Sequence, residues 1–148
     1  MTRDALLAYA HFICIFALAS LLVSELAVFR KTLPADLVRR LQRIDRWYGI
    51  VAGLVILSGL ARLFLGIKGS EFYLHNPVFW TKMALFVAVA LISIVPTVAY
   101  VRWSVRDSTD GSVVLDDAEF ARLRGLLWLQ VGLFLLIPLC ASFMARGL

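Results

Sequence analysis

The sequence predicts an all-α fold: a polytopic membrane protein built as a bundle of four transmembrane helices with short loops. Of its 148 residues, 61% are hydrophobic and 17% are charged, whereas a soluble domain is nearer half apolar and a quarter charged. The apolar excess lies in four long runs, and about 20 apolar residues are enough to cross a bilayer core. We therefore expect residues 1–148 to form a single integral membrane domain. The tryptophans lie near the ends of the runs, where interfacial belts are expected: Trp47, Trp80, Trp103 and Trp128.

The first two predicted helices cover about residues 5–29 and 47–65. His11 and Glu25 interrupt the first of them, and ionisable groups at such depth are costly and therefore candidates for function. The connection between the two helices is basic and turns at Pro34. Apolar residues at helical spacing within residues 36–48 predict a basic amphipathic helix that lies along the membrane surface.

The last two predicted helices cover about residues 77–101 and 123–145. Pro77 suits the first turn of a helix, and Pro96 is expected to kink the third helix. The polar connection that follows carries a turn signal at residues 107–111. Asp116 is expected to cap the fourth helix, which begins in water before it enters the membrane.

The distribution of basic residues predicts the orientation. With four spans, residues 30–46 and 102–122 share one side of the membrane, and the two termini share the other. The first side carries most of the lysine and arginine, so the positive-inside rule places it in the cytoplasm. We expect a bacterial inner membrane protein with both termini outside. Its basic side chains lie beside membrane ends, which favours lipid headgroups over nucleic acid as partners.

This topology brings distant polar residues to one depth in the outer half of the bundle. His11 lies roughly 8 Å inside the first helix, at 1.5 Å per residue. Arg62 and Lys82 enter the second and third helices from the same side, and His75 lies in the loop above them. The sequence therefore predicts a layer that contains one imidazole and two cations, with a second imidazole nearby.

Such a layer suits a redox cofactor, with haem b as the leading candidate. An imidazole can bind haem iron, so His11 is the predicted metal ligand. Arg62 and Lys82 can neutralise propionates or another anionic head group. His75 is the candidate for a second imidazole. These residues do not define a reaction, so whether the protein is an enzyme stays open.

Each of these residues also has a plain structural interpretation. Arg62 and Lys82 lie near helix ends and can extend to the lipid headgroups. His11 can be a lone histidine that is bonded to a neighbouring carbonyl. His75 precedes Asn76 and Pro77 and is expected to cap the third helix rather than bind a ligand.

Glu25 lies one turn from the cytoplasmic face. The connection that follows it is rich in arginine, and Arg102 is expected on the same side. We therefore expect Glu25 to pair with one of these arginines rather than to take part in a proton path.

Copper binding or transport is a second functional hypothesis. Soft nitrogen and sulfur ligands suit Cu(I), and several lie in the outer half of the bundle: His11, Cys14, Met83, Cys140 and Met144. There is no CxxC spacing, and two buried thiols that act as small hydrophobes would give the same pattern.

A third hypothesis is a non-catalytic assembly or scaffold subunit. Gly49 and Gly53 form a GxxxG pair, which allows close approach of helices in lipid. This face permits a homo-oligomer or a membrane complex without requiring either.

Three segments carry a resemblance to a known family: AHFICIFALASLLVSELAVFR, RIDRWYGIVAGLVILSGLARLFLG and FYLHNPVFWTKMALFVAVALIS. The chain resembles small bacterial predicted membrane proteins of unknown function, which have about 150 residues and four helices. This resemblance covers nearly the whole chain and implies the four-helix layout, but no substrate.

The layout more remotely resembles the copper-resistance membrane proteins and the membrane-bound haem-containing protoporphyrinogen oxidases. In those oxidases an early histidine of the first helix and a lysine of a W-x-x-K stretch in the third are functional. His11 matches the first, and Lys82 in Trp80-Thr81-Lys82 matches the second with a shorter spacing. The further histidines of the third oxidase helix are missing here, as is the Asn-Glu-x-Pro stretch. The resemblance thus implies a special role for His11 and Lys82, but not that reaction.

Overall fold

The computed structural model confirms the four-helix fold class and describes residues 2–66, 71 and 74–146. Within this part of the chain there are four long helices: α1 (Thr2–Val28), α2 (Ala35–Leu65), α3 (Pro77–Asp110) and α4 (Asp117–Ala145). Two short strands, β1 (Thr32–Pro34) and β2 (Ser112–Val114), lie in the connections between them.

All four helices are long and apolar enough to cross a membrane. Their outward faces carry large apolar side chains, such as Phe16, which is 70% exposed. Phe64, Leu91 and Leu135 are similarly exposed on the other three helices. In water such continuous apolar surface would drive association, so these faces are lipid-facing.

The helices form an antiparallel ring. α1 packs mainly on α2 and α3 mainly on α4, and contacts of α2 with α3 and of α1 with α4 close the ring. The two chain termini and the α2–α3 connection therefore lie at one end of the bundle, which we call the terminal end. The two strands lie at the other, which we call the sheet end.

The sheet end differs most from the sequence prediction. Residues 36–48 do not form a separate surface helix, because α2 runs without a break from Ala35 to Leu65. No glycine or proline interrupts this segment, and Val38 and Leu41 are buried. α3 likewise continues past residue 101 and ends at Asp110. The next residue is Gly111, whose φ of 72° favours glycine.

The predicted caps of α3 and α4 are only partly confirmed. Asp116 caps α4 as expected, since the Glu119 amide donates to Asp116 Oδ1 over 2.7 Å. α3 does begin at Pro77. Its cap, however, is Asn76, whose Oδ1 accepts from the Val78 amide over 2.8 Å. The prediction that His75 caps this helix is therefore wrong.

β1 lies in the α1–α2 connection and β2 in the α3–α4 connection, and the two strands pair as an antiparallel sheet. Thr32 pairs with Val114, Leu33 with Val113 and Pro34 with Ser112. The middle pair, Leu33 and Val113, is buried, while the flanking residues are exposed. The sequence does not predict this sheet, because three-residue strands are too short to show an alternating pattern.

Two apolar cores fill the bundle. The sheet-end core consists of Phe29, Leu33, Val38, Leu41, Tyr100, Trp103, Val113, Leu115, Leu123 and Leu127. The midspan core consists of Leu18, Leu22, Tyr48, Val55, Phe134 and Ile137.

Three of the four tryptophans are exposed, as an interfacial belt requires. Trp103 is the exception, because it is fully buried, at 5.3 Å from the Tyr100 ring centroid.

Trp103→Ala should destabilise the protein by about 3–5 kcal/mol, because it removes a large buried ring. The loss should appear as a lower unfolding temperature in detergent. Trp128→Ala, at an exposed position of α4, is the matched control and should change stability far less. Equal losses in both variants would contradict the burial difference.

Candidate functional site

His11 is held by a two-step hydrogen-bond relay to α2. Its Nδ1 lies 2.8 Å from the Ser58 hydroxyl, and this hydroxyl donates to the Val55 carbonyl over 3.1 Å. When the hydroxyl donates its single proton to Val55, it accepts from His11 Nδ1–H. In that tautomer the neutral imidazole keeps its lone pair on Nε2.

Gly59 allows the imidazole to lie against α2. A Cβ atom at Gly59 would lie 3.3 Å from His11 Cε1, closer than ordinary van der Waals contact. At Gly49 and Gly53, the GxxxG pair, an added Cβ atom would have nothing within 4 Å among the described residues. Of the three glycines within α2, Gly59 is therefore the one that permits close approach of another helix.

The two predicted cations lie close to this histidine. The charges of Arg62 and Lys82 both act on the His11 ring, and they also act on each other. The Arg62 guanidinium lies 5.8 Å from the Phe12 ring centroid, and Lys82 Nζ lies 5.6 Å from that of Phe79. Both cations are half-buried rather than fully extended into solvent.

α4 contributes Cys140, a half-buried free cysteine that interacts electrostatically with Lys82. One residue from each helix thus meets near the terminal end. We call this set, His11, Arg62, Lys82 and Cys140, the His11 layer. In the part of the chain that the structure describes, neither cation of the layer forms a salt bridge with a carboxylate.

His75 lies apart from this layer. It is exposed, and its Nδ1 lies 2.9 Å from the Glu71 carbonyl of its own connection. No described hydrogen bond joins it to the His11 layer. Its role as a second imidazole stays a prediction.

The histidine and the two cysteines predicted as copper ligands do not form a three-residue metal group, and copper binding stays a prediction. Among the described residues, no three His, Cys, Asp or Glu side chains come together as a metal-ligand group. Cys14 and Cys140 are both free and half-buried. The side chain of Met144 lies outside the described part of the chain.

A second polar cluster lies toward the sheet end, around Glu25. This carboxylate is only 3% exposed, and the groups that act on it are the Tyr100 hydroxyl and the Asp45 carboxylate. Asp45 in turn accepts from the Thr97 hydroxyl over 2.7 Å. No arginine of the described chain forms a salt bridge with Glu25, so the predicted arginine pairing is wrong.

A cavity of about 260 Å³ lies between α2 and α3 beside this cluster. Its walls are mainly apolar, with Phe86 and Val89 on α3. Its polar lining is supplied by Asp45, Arg46, Tyr48, Ser93 and Thr97. The cavity therefore connects the surface of the bundle with the half-buried carboxylate of Asp45.

Comparison with known proteins identifies the family. Residues 3–148 match a family model described as a predicted membrane protein, DUF2214. The chain belongs to the DUF2214 family. This description agrees with the four spans and assigns the DUF2214 proteins no ligand or reaction. No curated protein and no solved structure matched the chain, so the remote resemblance to oxidases and copper-resistance proteins gains no support.

Sequence reasoning misses several site residues of this DUF2214 protein. Ser58 and Gly59 precede Arg62 by about one turn of α2, and that spacing could have placed them beside His11. The sequence pattern assigns Asp45 to a surface helix, and only the continuity of α2 places it in the bundle. Gln130 is uncharged, and its burial depends on packing that the sequence does not show.

Gly59→Ala should lower the unfolding temperature, because the new methyl group meets the His11 ring at 3.3 Å. Gly53→Ala is the matched control on the same helix. Its methyl enters open space, and alanine is favoured over glycine in a helix by about 1 kcal/mol. Gly59→Ala should thus lower the unfolding temperature and Gly53→Ala should raise it. A higher unfolding temperature for Gly59→Ala would contradict the close contact.

Proposed function

We propose that this protein binds a redox cofactor with acidic groups, haem b being the first candidate, in the membrane at the terminal end. The observation that supports the proposal is the His11 relay. Histidines that bind metals usually donate their other ring N–H to a protein acceptor, which fixes the tautomer. Ser58 is such an acceptor for Nδ1–H, so Nε2 is the nitrogen available to iron.

The charges of the layer support an anionic ligand. Arg62 and Lys82 act on each other as like charges, and no described carboxylate forms a salt bridge with either. Unpaired cations in a bundle interior are costly. A propionate or similar acidic group would pair with them, and guanidinium–carboxylate pairs add bidentate geometry. The protein's contribution would be to bind and orient the cofactor, which supplies the redox chemistry.

Cofactor binding at His11 requires no second imidazole. The chain has two histidines, and His75 is exposed and bonded within its own connection. We infer that His11 alone would be the protein ligand, with the redox chemistry supplied by the cofactor. His75 therefore serves as the control position.

We further propose that the sheet end faces the cytoplasm of a bacterial inner membrane, with both termini outside. Arg39, Arg40, Arg43 and Arg46 are exposed on the sheet-end part of α2, and Arg122 and Arg124 are exposed on α4. This side thus carries the larger share of the basic residues near the membrane, in line with the positive-inside rule.

Purified protein in detergent should bind added haem with a Soret band that His11→Ala abolishes. Ser58→Ala should weaken binding by about 10–100-fold, the usual effect of losing such a second partner. Arg62→Gln and Lys82→Gln should each weaken it as well, while His75→Ala should leave the spectrum unchanged. Absorption titrations measure all of these affinities. Wild-type protein that gives no Soret band on supplementation would rule out haem.

Reporter fusions test the orientation independently. Alkaline phosphatase is active only outside the cytoplasm, whereas green fluorescent protein exported in unfolded form is not fluorescent there. Fusion after residue 146 should give phosphatase activity without fluorescence, and fusion within residues 107–111 should give the reverse. The opposite pattern would invert the topology while leaving the fold unaffected.

A further inference from the structure

The cluster around Glu25 belongs to a polar layer that separates the two apolar cores. On α1, Glu25 lies between Leu22 of the midspan core and Phe29 of the sheet-end core. On α4, Gln130 lies between Leu127 and Phe134 in the same way. We call this set the acidic layer: Glu25, Asp45, Tyr48, Thr97, Tyr100 and Gln130. Glu25 follows His11 by 14 residues, or roughly 21 Å along α1, so this layer is separate from the His11 layer.

The acidic layer holds two carboxyl groups without a described counter-charge. Glu25 is 3% exposed and Asp45 is half-buried, and the charge of one acts on the other. In the described ranges neither forms a salt bridge. The nearest arginine along α2, Arg46, is exposed and lies at the cavity lining. Burial of two unpaired carboxylates is expensive, so a small positive charge would stabilise the layer.

Buried polar atoms without partners point to an occupant. The Tyr100 side chain is 0% exposed, and its hydroxyl, which interacts with Glu25, makes no hydrogen bond of standard geometry in the described chain. Gln130 is 1% exposed, and its Nε2 is also without a described partner. Buried polar atoms are nearly always satisfied by protein, water or a ligand. The Tyr100 hydroxyl, which interacts with Glu25, can thus take a further polar partner beside that carboxylate, and the Gln130 amide can take one at the same level of the bundle.

The cavity between α2 and α3 provides an entrance. Asp45, Tyr48 and Thr97 line it, and the Tyr48 side chain interacts with both carboxylates. The cavity volume of about 260 Å³ is several times the roughly 30 Å³ that a water molecule occupies in the liquid. A small ion could therefore reach Asp45 without opening the bundle.

We propose that the acidic layer binds one small monovalent cation, either a proton or Na⁺, between Glu25 and Asp45. The cation enters through the α2–α3 cavity, reaches Asp45 first and neutralises one carboxylate. Oxygen ligands suit such an ion: the two carboxylates and the hydroxyls of Thr97, Tyr48 and Tyr100. The described groups that act on the pair are Tyr48 on α2 and Thr97 and Tyr100 on α3, and Arg46 lies next to Asp45 at the cavity lining; no described lysine or histidine is among them.

Dicyclohexylcarbodiimide, an apolar reagent that modifies protonated carboxyl groups, tests this site in the intact protein in detergent. In sodium-free buffer it should modify Glu25, with the adduct located by peptide mass spectrometry. Above the pH at which half of the Glu25 carboxyl groups are protonated, labelling should fall by about tenfold per pH unit. If the occupant is Na⁺, added NaCl at constant pH should suppress labelling, whereas equal choline chloride should not. If it is a proton, the two salts should act alike.

Matched variants separate the proposed cation site from haem binding at His11. Glu25→Gln should abolish the adduct, and Asp36→Asn, which changes an exposed carboxylate of α2, should leave it unchanged. Asp45→Asn should remove any protection by Na⁺ and alter the pH dependence. His11→Ala should leave labelling intact, so failure of haem binding and failure of this site are distinguishable. Wild-type protein that is unlabelled at Glu25 from about pH 5 to about pH 9, or labelled equally at every pH and salt, would overturn the proposal.

Discussion

The constraint on which this structure depends is that lipid offers no hydrogen-bond partners. Backbone groups satisfy it by forming helices. Polar side chains satisfy it by bonding to the backbone of their own helix, as Ser20 does to the Phe16 carbonyl, or by turning inward toward other helices. His11 therefore bonds to Ser58, and Asp45 accepts from Thr97. Because the four helices share an interior, inward-facing polar groups are collected into layers. The described residues form two such layers, and the midspan core lies between them.

The same constraint explains how much of the fold could be predicted. Four spans follow from hydrophobicity alone, because only a membrane requires such long apolar runs. The sheet end could not be predicted in the same way. Its segments alternate between apolar and charged residues, so the continuity of α2 through residues 36–48 depends on Val38 and Leu41 entering the core. Burial of Trp103 likewise depends on the sheet, which the sequence does not reveal.

The His11 layer was predictable because three ionisable residues at a common depth stand out against apolar neighbours. Its supporting residues do not stand out, since a serine and a glycine are ordinary in transmembrane helices. For Glu25 the sequence pattern leads to a wrong prediction. The nearby arginines suggest an ion pair, yet the helix turns this carboxylate toward Tyr100 and away from the basic surface. The sequence shows which charged residues are close along the chain. It does not show which way their side chains point, because that depends on how the helices pack.

The small sheet also has a mechanical consequence. β1 follows α1 and β2 precedes α4, so their pairing ties the α1–α2 hairpin to the α3–α4 hairpin at one end. The Leu115 amide and the Lys31 carbonyl, joined over 3.0 Å, continue this tie, as does the salt bridge between Lys31 and Asp117. No corresponding strand pairing joins the hairpins among the described residues of the terminal end. The sheet therefore fixes the two hairpins to each other through their backbones at one end, whereas among the described residues of the terminal end they are held by contacts between helices, including those of the His11 layer.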